Sequence, residues 1–159
     1  MLKGRVASPP SNFASVAFDQ VGGLVTLPAV PDFVSHVVLN NDPLFFATER
    51  FWDAFFGVEE CVGELTVVRH RPPGFFFAES VLAELRLYGS AEISLAHAHT
   101  FLKIAPTFCE FYIFFIADKN QQVRCVDAYW FHDRWNLDAS PITTAGINTM
   151  HRIVSPVSQ

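Results

Sequence analysis

The sequence predicts an α+β fold, with N-terminal helices packed on a curved antiparallel meander sheet. Helical start and stop signals cluster between residues 31 and 57. From residue 62 onward the pattern changes to strand-like runs separated by short breaks, "RPPG", "GSA", "APTFC" and "KNQQ". Connections of that length join neighbouring antiparallel strands. The runs "EFYIFFIA" and "VRCVDAYWF" are rich in the aromatic and β-branched residues that favour strands.

Residues 1–30 hold Pro9, Pro10, Gly22, Gly23 and Pro28 and read as an extended, Pro-bearing arm with one short strand. In "PDFVSHVVL", Pro31 fits a first helical turn and Asp32 suits the positive end of a helix. In "NNDPLFFATERFWDAFFG", Asp42 is a good N-cap, Pro43 fits the first helical position and Gly57 suits the stop, which predicts a helix over 43–56. Phe45, Trp52, Phe55 and Phe56 recur on one face of it. The predicted strands then follow, "VGELTVVRH", "FFFAESVLAELRLY", "EISLAHAHTFLKI", "EFYIFFIAD" and "VRCVDAYWFHD". "SVLAELRLY" also satisfies a helical period through Val81, Leu82, Leu85 and Tyr88. A single domain over 31–138 results, and 139–159 reads as an extended C-terminal tail.

Half of the 159 residues are apolar, 17 are Phe, and only 17% are charged, against about 25% in ordinary soluble domains. Such a chain has an unusually aromatic core, a covered surface, or both. In "EFYIFFIA", Tyr112, Phe114 and Ile116 line one face, while Phe111, Ile113 and Phe115 line the other. A half-solvated antiparallel sheet alternates apolar with polar. Here the face away from the Phe-rich helix must meet a second layer or another subunit.

A formal charge of −5 and scattered basic residues argue against nucleic-acid binding. "RHR" at 69–71, followed by Pro72 and Pro73, reads as a solvated strand end. Cys61, Cys109 and Cys125 are too few and too dispersed for a disulfide framework, which points to an intracellular, reducing compartment. No apolar stretch approaches the roughly 20 residues that span a bilayer. The N-terminus carries Lys3, Arg5 and three serines with no acid before Asp19, a composition like that of a mitochondrial presequence. Pro9 and Pro10 would break the helix such a signal needs.

N-terminal helices followed by a long meander resemble the cystatin-like, NTF2-like (SnoaL-type) superfamily over about residues 31–135. "FFIADKNQQVRCVDAYWFHD" is similar to that family's closing hairpin. The pattern leaves no room at "RPPG" for the family's third helix, and a hotdog-like arrangement is the alternative. The resemblance implies a curved sheet around a cone-shaped apolar cavity, in a family that includes isomerases, dehydratases, ligand binders and assembly subunits.

The chemically richest stretch is "EISLAHAHTFLKI". On a strand, His97 and His99 share a face, as in the pairs that chelate zinc, but the registers available bring no third ligand beside them. Asp118 is the one candidate partner at a turn. Asp127 falls two or three residues beyond His99, about 7–10 Å away, too far for a dyad. Both histidines therefore read first as partly buried strand residues bonded to backbone or a nearby polar chain. Asp127 and Tyr129 share a strand face and would serve a pocket as acid–base group and hydrogen-bond donor. No Gly-rich phosphate loop, nucleophile elbow or H-E-x-x-H run occurs, and nothing calls for a cofactor or metal. Two functions remain. One is a non-catalytic subunit of a larger assembly, homo- or hetero-oligomeric, with a mitochondrial complex as one setting. The other is a small-molecule binder, isomerase or dehydratase with His97, His99, Asp127 and Tyr129 lining an apolar pocket.

Overall fold

The computed structural model describes residues 18–107 and 111–157. In chain order, β1 is Asp19–Gln20, β2 Val25–Leu27, β3 Val30–Val34, α1 Ser35–Asn41, β4 Phe45–Ala47, α2 Glu49–Phe55, β5 Glu59–Val62 and β6 Leu65–Arg71. There follow β7 Phe76–Phe77, α3 Ala78–Leu87, α4 Leu95–Ile104, β8 Phe111–Ala117, β9 Val123–Phe131, β10 Arg134–Pro141, β11 Gly146–Ile147 and β12 His151–Pro156. The architecture is α+β with a largely antiparallel sheet that does not close.

The main sheet runs β1-β6-β12-β8-β9-β10-β4, with β2 also pairing β6. β8 and β9 form the antiparallel pair the sequence predicts, and β10, which the sequence reading did not anticipate, extends it into a meander. The β9–β10 hairpin turns through His132 and Asp133, at φ of 52° and 59°, a two-residue turn whose twist suits the flanking strands. At the β8–β9 turn, the buried carboxylate of Asp118 accepts from the N–H groups of Asn120 (2.8 Å) and Gln122 (3.0 Å) and from Arg124 Nε (2.8 Å). Its desolvation is outweighed by those donors, so its pKa falls below the usual carboxylate value.

Several elements differ from the sequence expectation, each for a traceable reason. The helix expected over 43–56 is split. β4 is captured by a parallel pairing with β10, and α2 begins only at Glu49, capped by the Thr48 hydroxyl accepting from Phe51 N–H. Asp42 is not an N-cap but the C-cap residue of α1. Likewise Pro31 lies in β3, which pairs with β5, so α1 starts at Ser35. Residues 78–87 are helical, and so are 95–104. The start of α4 is built by Ser94 Oγ, which accepts from His97 N–H at 3.1 Å, and by the Glu60 carboxylate. That carboxylate accepts from Leu95 and Ala96 N–H at 3.2 and 2.8 Å. Two helices thus lie between β6 and the meander, where the pattern around "RPPG" left no room for one.

The C-terminal segment is no free tail. β10 continues to Pro141, and β12 lies in the middle of the sheet, antiparallel to β6 and parallel to β8. The expected arm lies outside the described residues as far as residue 17; from Asp19 onward β1 and β2 pair with β6.

The sheet separates two apolar clusters. On one face, α4 and α2 pack with Phe101, Phe51 and Phe55 against Tyr112, Phe114, Val126 and Trp135. Trp135 Nε1–H donates to the Leu102 carbonyl at 2.9 Å, so the largest core ring is also satisfied as a donor. On the other face, α3 lays Val81, Leu82 and Leu85 over Ile113, Phe115, Cys125 and Ile153. The doubly apolar β8 is thereby explained, because both of its faces meet a layer. Cys61 is exposed and Cys125 buried, both as free thiols, with burial pushing the Cys125 thiol well above its ordinary pKa. Cys109 lies outside the described residues.

Candidate functional site

The expectation that His97 and His99 share a strand face is overturned by α4. Two positions on a helix are about 200° apart, so the rings diverge. His97 is buried, with Nε2 2.7 Å from the Gly63 carbonyl and Nδ1 2.9 Å from Ser94 Oγ. Both nitrogens are engaged in holding the α4 start against the β5–β6 turn. His99 Nε2 sits 3.2 Å from Asp42 Oδ2, with the ring against Phe33 and Phe45. Burial lowers the His99 pKa although Asp42 opposes it. Asp42 also faces Lys103 at 3.4 Å; donors from Leu44, His99 and Lys103 outweigh its desolvation and hold its pKa below normal. These histidines join elements. They do not meet each other, nor Asp118, which is committed to its turn. Among the described residues, no group of three or more His, Cys, Asp or Glu side chains is arranged to hold a metal ion.

Asp127 and Tyr129 lie on the opposite face of the sheet, on the same side of β9 as Cys125. The four expected pocket residues therefore do not converge. Around Asp127 and Tyr129 the sheet instead presents an open area. One row across the strands reads His151, Phe111, Tyr129, Asn136 and Phe46, in register on β12, β8, β9, β10 and β4. The adjoining row places Asp127 directly opposite Asp138, and at the hairpin end Phe131 lies opposite Arg134. The α3 layer covers Cys125 and Ile113 but not these rows, where Phe46 (44%), Phe111 (37%), Tyr129 (37%) and Phe131 (55%) are exposed.

The charges on this face are ordered. Asp138 accepts from Thr48 Oγ1 at 2.6 Å and is paired with Arg50. Asp127 has no such donor among the described residues. Burial and the neighbouring Asp138 charge push its pKa up to about 6, with Arg50 offsetting part of the rise. His151 Nε2 stands 3.8 Å from Asp127 Oδ1, while its Nδ1 accepts from Asn148 N–H at 2.9 Å. Burial lowers the His151 pKa, so at neutral pH the imidazole brings no charge to Asp127. Arg134 lies over the Phe46 ring at 4.6 Å and has no carboxylate partner among the described residues.

Asp138, His151 and Phe46 are members of this face that sequence reading missed, whereas Phe111 stands on the face that the alternation of β8 assigns it. A two-residue turn at "HD" would have placed Asp138 opposite Asp127. No local signal places His151, because it arrives through the non-local pairing of β12.

Comparison with protein-family models, curated proteins and solved structures finds no match. The functional reading rests on the geometry.

Proposed function

We propose that this chain is a non-catalytic assembly subunit that docks through the open face of its sheet, and that the occupant of that face is a second copy of the chain. The observation that carries the proposal is the exposed aromatic set Phe46, Phe111, Tyr129 and Phe131 on one face of the sheet, beside the part that α3 covers. Aromatic side chains are enriched at interfaces, and a contiguous exposed apolar patch marks an interaction surface. Charge favours a like partner. The register places Phe131/Arg134, Tyr129/Asn136 and Asp127/Asp138 as successive cross-strand pairs. A two-fold axis along the Tyr129–Asn136 row would set Arg134 of one copy over Asp138 of the other, and Phe131 over Asp127. A self-complementary patch is what a two-fold interface requires.

NTF2-like kinship belongs to the same proposal, supported by helices on one face of a largely antiparallel sheet; the parallel β12 departs from a simple meander. The alternative of an isomerase or dehydratase needs a cone-shaped cavity. The volume beneath α4 is instead filled by Phe101, Tyr112, Phe114 and Trp135, none more than 2% exposed. Phe131→Glu tests the docking face, because an exposed position tolerates charge in the folded monomer. We expect its particle mass to fall to that of one chain, with an unfolding midpoint that matches the wild type at concentrations where the wild type is monomeric. Retention of the wild-type oligomer would contradict the proposal.

A further inference from the structure

On the same face of the main sheet as α3, at the edge away from the aromatic row, a cleft of about 350 Å³ opens between β1, β6, β12 and the end of α3. The volume lies at the lower end of the range for small-molecule sites. Its walls are apolar, with Phe18, Leu24, Val68 and Leu85 among them. Its polar lining residues are Gln20, His70, Tyr88, Ser90 and Ser155, of which His70 and Ser155 are paired, with Nε2 and Oγ 3.0 Å apart. These two are diagonal neighbours on one face of β6 and β12, since the register sets His70 opposite Ile153 and Val68 opposite Ser155.

We infer that this cleft binds a small uncharged molecule with a compact apolar body and one hydroxyl or carbonyl group. The lining includes no Asp, Glu, Lys or Arg, so no side chain is present to neutralise an ionised ligand. The walls match an apolar ring, and the phenyl ring of Phe18 stands 6.1 Å from the imidazole, tilted by 59°. The polar end has a defined place. Ser155 occupies Nε2, whereas Nδ1 of His70 has no hydrogen-bond partner among the described residues. A ligand hydroxyl or carbonyl bonded there would complete the pair. A hydrogen-bonded polar pair in an apolar cleft fixes orientation in this way. Desolvation lowers the His70 pKa, which agrees with a neutral imidazole able both to donate and to accept. The cleft lines β6 and β12 at one edge of this face and the aromatic row spans β12 to β4 at the other, with no lining residue in common, so neither proposal depends on the other.

The test uses the full chain and 2-naphthol as probe, with 2-naphthoate as the charged control, read by the imidazole carbon–proton signals in NMR titration. The His70 signal is assigned with His70→Gln. The expected result is a saturable shift of that signal by 2-naphthol and none by 2-naphthoate. Ser155→Ala, which removes the hydroxyl that holds Nε2 and so fixes the ring presenting Nδ1, should weaken binding about tenfold. Ser90→Trp, at an exposed lining position, should abolish it without unfolding the chain. The inference is overturned if 2-naphthol gives no saturable shift, if 2-naphthoate binds as well, or if both variants bind like the wild type.

Discussion

Asp127 is the residue at which packing and protonation meet. Its carboxyl titrates at about 6 in the fold, against about 3.9 in an unfolded chain. The native state therefore gives up this proton later, and ionising Asp127 costs stability. That cost is absent below about pH 4, grows as pH rises toward 6, and is complete above it. Asp127→Asn should stabilise the monomer at pH 8 by on the order of 1 kcal/mol, the figure being modest because solvent screens a partly exposed side chain. Near pH 4 the substitution should be neutral. Denaturant titration at both pH values checks this, and an equal effect at the two would count against the assignment. His97 carries the opposite expectation. Its ring holds Ser94 and the Gly63 carbonyl, so His97→Ala should lose about 1–3 kcal/mol of stability while leaving particle mass unchanged. A variant as stable as the wild type would show that those contacts contribute nothing.

Among the elements, what was legible in the sequence is what local pattern decides. β8 and β9 announce themselves through aromatic and β-branched residues, and Gly57, at φ +77°, ends the α2 segment as its position indicated. The pattern of α3 satisfies a strand and a helical period alike, and that of α4 reads as a strand, so neither helix is fixed by period alone. The Ser94 cap was the available signal for α4, and Glu60, more than thirty residues away, completes it. Ser94→Ala should cost about 1 kcal/mol, measurable as a lower unfolding midpoint; no change would place the cap entirely on Glu60. β4 and β12 were illegible for another reason. Each is short and held by a parallel pairing that no neighbouring residue encodes. β12 fills the centre of the sheet, with Ile153 and Val154 fully buried. A chain ending after Ile147 should therefore fail to give a cooperative unfolding transition. A cooperative transition in that truncated chain would mean that β6 and β8 hold together without it.

For the whole molecule, composition points to an unusually aromatic core, a covered surface, or both. A chain so rich in Phe and so short of charge has more apolar surface than one sheet and its helices can cover. The structure covers one face with α2 and α4 and half of the other with α3. What remains open is the aromatic row beside Asp127, Asp138 and His151. If a second copy covers it, Asp127 is desolvated further, and association is linked to proton uptake. Asp138, held by Thr48 and Arg50, keeps its charge, and His151 is neutral until the pH falls below its depressed pKa. Sedimentation equilibrium on the full chain over a range of concentrations, at pH 5.5 and pH 8, tests the central claim most directly. The account predicts a monomer–dimer equilibrium that is tighter at pH 5.5 and is abolished at both pH values by Phe131→Glu. A single-chain mass at both pH values, up to concentrations on the order of 100 µM, would contradict it.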